Sequence, residues 1–140
     1  MKMTTTSPRE TELLGERLAQ QLKGGEVLAL FGGMGMGKTA FTRGLAHGLD
    51  VQEPVSSPTF ALVNEYAGRL PLYHFDMYRV TSWDDLYSTG FFDYLETGGV
   101  LVIEWSENIE EALPENTVKI IFKRGNGEND REIEIEGLEL

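Results

Sequence analysis

Val27-Leu28-Ala29-Leu30-Phe31-Gly32-Gly33-Met34-Gly35-Met36-Gly37-Lys38-Thr39 is an apolar run that passes without interruption into Gly-x-x-x-x-Gly-Lys-Thr. This spacing belongs to a phosphate-binding loop set between a buried strand and a helix. Gly32, Gly33, Gly35 and Gly37 have no Cβ, so the loop can enter left-handed backbone conformations and turn several N–H groups around a polyphosphate. Thr39 to Gly48 reads as a helix with Phe41, Leu45 and Leu49 on one face, and its positive end points at the same phosphates. Lys38 is expected beside the β- and γ-phosphates as a point charge, and Thr39 is expected to offer its hydroxyl to a magnesium ion. The expected nucleotide contacts are therefore Gly33, Met34, Gly35, Met36, Gly37, Lys38, Thr39 and Ala40.

Upstream, Leu13, Leu14, Leu18 and Leu22 recur at helical spacing, which predicts an amphipathic helix over Glu10 to Leu22 with Ser7-Pro8 at its start. Residues 1–8 are polar and are expected to be frayed. Lys23-Gly24-Gly25 ends the helix and delivers the chain to a strand over Glu26 to Phe31. Downstream of the loop helix, Ser56-Ser57-Pro58-Thr59-Phe60 reads as a rigid polar turn. Ala61 to Tyr66 and Leu70 to Tyr78 then read as a hairpin across Ala67-Gly68-Arg69. Ser82 to Leu95 is expected to be helical in two pieces broken near Gly90, with Trp83, Leu86, Phe91, Phe92 and Leu95 as packing residues. Val100 to Trp105 is a continuous apolar run of the kind a strand buried on both faces produces, so it is expected to be central. Glu107 to Leu113 is expected to be a short helix ended by Pro114. Thr117 to Lys123 and Arg131 to Glu136 alternate around Gly125-Asn126-Gly127, a hairpin signal. The predicted class is α/β: a P-loop NTPase-like three-layer fold with a mixed central sheet and C-terminal antiparallel strands, forming a single domain over residues 1–140.

Composition narrows the function. The chain has 140 residues, no cysteine and a net charge of −11, with eleven acids against four bases in residues 101–140. The lack of cysteine removes disulfides, thiolate metal sites and a cysteine nucleophile, and suits a reducing compartment. No apolar run approaches the ~20 residues of a membrane span, and the first residues lack the apolar core of a signal peptide. A soluble, cytoplasmic protein is expected. No basic run exists to neutralise nucleic-acid phosphates, so DNA is not an expected partner and RNA would be carried by another protein. The acidic C-terminal third reads either as a solvated face or as a docking surface for a basic partner.

A phosphate loop needs carboxylates at neighbouring strand ends to hold magnesium and orient the attacking water. Asp76 follows Leu72-Tyr73-His74-Phe75, and Glu104 follows Val100-Leu101-Val102-Ile103, so each lies at the strand edge where α/β sheets bind ligands. Asp76 is assigned to magnesium, directly or through water. Glu104 is assigned to water positioning or to magnesium. Thr59 stands where nucleotide hydrolases place a threonine that senses the γ-phosphate, or it stabilises a turn. With only two histidines in the chain, a histidine metal cluster is excluded. His74 reads as a hydrogen-bonded structural residue, with a catalytic part as the alternative. Trp105 reads as core, as a lid on the site or as a partner contact.

Gly32 to Thr39, Ser57-Pro58-Thr59-Phe60, Leu72-Tyr73-His74-Phe75-Asp76-Met77-Tyr78-Arg79 and Ile103-Glu104-Trp105 together resemble the TsaE (YjeE) family, in order and spacing, from about Thr11 to Arg131. The resemblance implies a magnesium-dependent ATPase, with ADP as product, that works with TsaD and TsaB in threonylcarbamoylation of the adenosine next to the anticodon of tRNA. In that picture the chain does not transfer the group. Its ATP binding and hydrolysis reset the complex for further rounds, and tRNA is met only through the complex. The family treats the positions of Lys38, Thr39, Asp76, Glu104 and Trp105 as functional. Thr11 and Arg131 also fall on family motif positions and are expected near the nucleotide. Many relatives have an acid or another non-glycine residue at the position of Gly33, and many have a second threonine where this chain has Ala40.

Two other classes remain open. A small-molecule kinase would use the same loop but needs a substrate pocket and usually an arginine-bearing lid, and no Arg-rich insertion is present. A non-catalytic nucleotide-sensing module would look the same in sequence. A GTPase would need Asn-Lys-x-Asp, and no Asn here is followed by Lys.

Overall fold

The computed structural model describes residues 1–56 and 63–140. The sheet is built outward from β2 (Val27–Phe31) and β5 (Val100–Glu104), which pair in parallel, Val27 opposite Leu101 and Ala29 opposite Ile103. Nearly every residue of both strands is buried, as expected of strands packed on two faces. β4 (Leu72–Asp76) runs parallel to β5, and β3 (Val63–Tyr66) closes that edge antiparallel to β4. On the other side β6 (Val118–Arg124) is parallel to β2, β7 (Arg131–Glu136) returns antiparallel to β6, and β1 (Lys2–Thr5) is antiparallel to β7. The strand order is β1-β7-β6-β2-β5-β4-β3, a mixed seven-stranded sheet with antiparallel C-terminal strands. The predicted α/β class and the central place of Val100–Glu104 agree with this arrangement.

Helices cover both faces. α1 (Pro8–Ala19) and α2 (Lys38–Gly48) pack Leu14, Leu18, Phe41 and Leu45 on Leu28, Leu30, Val100 and Val102. α3 (Trp83–Ser88), α4 (Phe91–Tyr94) and a 3-10 segment (Ser106–Ala112) pack Leu86, Phe91 and Ile109 on Val27, Phe75, Leu101 and Ile103. Along β5 the side chains alternate between the two cores, which is the period-two geometry of a strand. α1 and α2 lie unusually close. A Cβ on Gly44 would stand 1.8 Å from the Glu12 carbonyl oxygen, and one on Gly15 would stand 2.3 Å from that of Phe41, so backbone meets backbone where a side chain has no room.

Several expectations are corrected. The first eight residues are not frayed: Lys2–Thr5 pair with Arg131–Glu134, and the Met1 ammonium donates to the Ile135 carbonyl at 3.0 Å. Backbone ladder bonds hold this edge strand, with Met3 packed against the core beside them. Ser7 caps α1, accepting from the Glu10 amide at 3.1 Å, with Pro8 in the first turn. Leu13 lies on the exposed side of α1. Trp83 is no packing residue: it opens α3 and is 52% exposed, while Leu86 three residues later takes the buried side. The break at Gly90 is present, with φ 80°. The segment after β5 is 3-10 with a kink at Ile109. Ser57-Pro58-Thr59-Phe60, with the proposed switch residue Thr59, lies outside the described residues.

Candidate functional site

β2, β4 and β5 are mutually parallel, so their C-terminal ends open on one edge of the sheet, where Phe31, Asp76 and Glu104 stand. A cleft of about 690 Å³ lies there. Its wall includes Met34, Gly35, Gly37, Lys38, Thr39, Ala40, Asp76, Glu104, Trp105, Thr11 and Arg131. Gly33 and Met36 of the expected set are not among its lining: Met36 packs against the α1/α2 core, and a Cβ on Gly33 would meet nothing within 4 Å among the described residues. Ser7, Pro8, Tyr78 and Asn129 also line it, although the sequence assigns them no part in the site.

The loop's shape follows from its glycines. Gly32, Gly35 and Gly37 take φ of 140°, 74° and 102°, the region closed to most side chains. Gly33 does not, contrary to expectation, so a side chain is sterically admissible there. Gly37 is the N-cap of α2, and no side chain among the described residues caps that helix end. The amides of its first turn therefore point at the cleft with no side-chain acceptor, an arrangement suited to an anion. The chain's own acids stay out of that first turn.

Lys38 is buried, its ammonium donating to the Gly32 carbonyl at 2.7 Å and lying 5.1 Å from the centre of the Trp105 ring. A buried ammonium needs such partners, and the ring face supplies part of the compensation. Trp105 holds this place by a backbone exception: it has φ 59° and ψ 41°, a left-handed conformation that costs a non-glycine residue about 1–2 kcal/mol. The turn brings the half-buried indole against Tyr78, ring centres 4.9 Å apart. Tyr78 is itself anchored, its amide donating to Asp76 Oδ1 at 2.9 Å, while Asn108 Nδ2 donates to the Met77 and Tyr78 carbonyls at 2.8 and 3.2 Å. The exits of β4 and β5 are thus tied together beneath the aromatic rim. Trp105 is half-buried and lines the cleft, which does not fit the deep-core reading.

Asp76 and Glu104 are register partners on adjacent strands. By the alternation of β4 and β5 they project toward the α1/α2 side, as Leu72 and Val102 do. Two carboxylates side by side repel, and a cation between them and the loop relieves that repulsion. Glu104 is buried and bonded through Oε2 to His74 Nε2 at 2.7 Å; Asp76 is half-buried. Thr39 is exposed at the mouth. Thr11 backs the loop from α1: a Cβ on Gly37 would lie 3.5 Å from its methyl, and its hydroxyl bonds Thr5 Oγ1 at 2.7 Å. Arg131 reaches across from β7, its guanidinium donating to the carbonyls of Gly35 at 3.1 Å and of Glu128 and Asp130 at 2.8 Å. The register that joins His74 to Glu104 is fixed by strand pairing. Sequence carried half of the signal, since His74 and Asp76 share one face of β4.

A family model described as threonylcarbamoyl adenosine biosynthesis protein TsaE matches residues 5–133. A Bacillus subtilis protein named tRNA threonylcarbamoyladenosine biosynthesis protein TsaE is 42% identical over 95% of this chain and 83% of its own length. A Treponema pallidum protein of the same name is 42% identical over 88% of this chain and 91% of its own. The crystal structure of YdiB from Bacillus subtilis superposes with a TM-score of 0.75 at 39% identity, covering 95% of this chain and 82% of that one. The match runs from the end of β1 into β7 and so takes in the residues that line the cleft, from Ser7 to Arg131, and the chain belongs to the TsaE family.

Proposed function

We propose that the chain binds ATP with magnesium in this cleft and hydrolyses it slowly to ADP as a component of the tRNA threonylcarbamoyladenosine modification machinery, acting with TsaD and TsaB so that the complex turns over repeatedly. The observation that carries the reading is the placement of Asp76 and Glu104 in register at the sheet edge that also holds the Gly-rich loop and Lys38. The fit to a polyphosphate rests on the positive-φ glycines and the uncapped start of α2. Magnesium, held by the Thr39 hydroxyl with Asp76 or Glu104, would supply positive charge to the phosphate oxygens.

The remaining work falls to the chain's own groups. Loop amides and the helix dipole orient the phosphates, and Lys38 holds its charge at the mouth of the loop. Glu104 accepts a hydrogen bond from the attacking water and fixes its direction. The Arg131 guanidinium is spent on backbone carbonyls, which favours a slow reaction that awaits positive charge from a partner. The chain's net charge of −11 supports a reading in which tRNA is met through TsaD and TsaB rather than gripped directly, and a tRNA-modifying role suits a cytoplasmic setting.

The test is reconstitution of tRNA modification with TsaD and TsaB, with and without this chain and ATP, counting modified tRNA per complex. The expected result is several rounds only when both are present. Equal turnover without the chain contradicts the reading. Phosphorylation of a metabolite in a parallel screen would favour a kinase.

A further inference from the structure

His74 is 1% exposed and offers one nitrogen, Nε2, to Glu104 Oε2 at 2.7 Å. Its other nitrogen, Nδ1, is buried with no partner among the described residues. A core position that served packing alone would be better filled by an apolar side chain, as Leu72 and Val102 are on the same face. An imidazole with an orphaned nitrogen is the more costly choice, so what the position gains is the bond to Glu104. The orphan also fixes the proton. A proton on Nδ1 would be a buried donor without an acceptor, and it would leave Nε2 as a lone pair facing a carboxylate oxygen. With the proton on Nε2 the ring donates to Oε2, and only a bare lone pair on Nδ1 goes unmet.

We propose that His74 is a positioning residue for ATP hydrolysis: its Nε2–H pins Oε2 of Glu104 from beneath and so sets the orientation in which the carboxylate meets the cleft. The inference rests on the reading that Glu104 serves hydrolysis. It gives His74 the part that second partners of ligating or catalytic groups play elsewhere, fixing the geometry of a group that must act without reorganising. Asp76, the other acid of the pair, is held differently, by the Tyr78 amide at its own strand end. The two carboxylates can therefore be loosened one at a time.

The experiment compares His74→Leu, which removes the donor, with His74→Gln, whose amide Nε2 can stand where the imidazole Nε2–H stood. Both are assayed in the complex with TsaD and TsaB for ATP turnover and for ATP affinity. Leu is expected to lower kcat by ~10- to 100-fold with affinity little changed, and Gln to restore most of it. In a Glu104→Gln background, His74→Leu should cost nothing further. Imidazole nitrogen NMR on the wild-type chain, where His47 is the only other histidine, should report the Nε2–H tautomer for His74, and this readout needs no activity. An Nδ1–H tautomer overturns the inference, as does a folded His74→Leu with normal kcat or a His74→Gln no better than Leu. If Glu104→Ala itself turns ATP over normally, the hydrolytic reading fails first, and the tautomer still decides whether the bond to Glu104 has the stated sense.

Discussion

The two faces of the sheet draw on the same strands but do different work. On β4, Tyr73 and Phe75 turn toward α3 and α4, where Phe75 meets Phe91 and Tyr94 with ring centres 5.8 and 5.2 Å apart, and Tyr73 meets Tyr94 at 4.7 Å. His74 and Asp76 turn the other way, toward the helices that frame the loop. The α3/α4 face is an aromatic seal under short helices. Its Tyr94 hydroxyl is pushed above the ordinary tyrosine range by burial and then by the Glu65 carboxylate. The α1/α2 face is mostly aliphatic, with Phe41 set edge-on to Phe122, and is tightly approached, and Lys38, Asp76 and Glu104 gather at its rim. Strand alternation thus keeps the α3/α4 core apart from the chemistry, which shares its face with the larger core.

The separation can be broken from either side. Phe75→Ala empties a fully buried aromatic site and should cost about 3–5 kcal/mol in denaturant unfolding. The protein that remains folded should bind ATP as before. Loss of binding in that folded fraction would show that the two faces are coupled. Gly44→Ala works from the other side: its methyl collides with the Glu12 backbone, and about 1–3 kcal/mol of stability should be lost as α1 and α2 move apart. Because Thr11 and the start of α2 move with these helices, weaker nucleotide affinity should accompany the loss. Unchanged affinity would mean that the close approach serves packing alone. Ser7→Ala removes the α1 cap and should cost about 1 kcal/mol, read from a thermal melt.

The smallest effect is acid-dependent. The backbone and hydroxyl of Thr6 hold the Glu10 carboxyl below its ordinary value of 4.5. A carboxyl whose pKa is depressed on folding stabilises above its unfolded value and loses that contribution as the pH falls through the folded one. Below about pH 4.5, wild type should therefore lose stability more steeply than Glu10→Gln. Parallel melting curves over that range would show that this bond adds nothing.

Much of the site is legible in sequence because its residues are constrained locally. Four glycines around Lys38 announce the loop, Val100–Ile103 announce a strand with no wet face, and Asp76 and Glu104 stand where such strands end. Gly33 marks a limit of that reading: pattern alone cannot tell a glycine needed for its φ from one that is merely tolerated. Long-range pairing hides the rest. Lys2–Thr5 look frayed because β7 supplies their bonds from more than a hundred residues away, and His74 looks structural until the β4–β5 register sets it diagonal to Glu104. Trp105 is legible as important but not as left-handed, since nothing in its neighbours demands the turn that carries its ring over Lys38.

The central claim is that the loop binds the nucleotide and the carboxylate edge hydrolyses it. ATP affinity and ATP turnover measured together on Lys38→Ala and Glu104→Ala, in the complex with TsaD and TsaB, test it most directly. Lys38→Ala should lose affinity by ~10- to 100-fold, the worth of a charge-assisted contact. Glu104→Ala should keep most of its affinity and lose turnover. A Glu104→Ala complex that hydrolyses ATP at the wild-type rate would contradict the account.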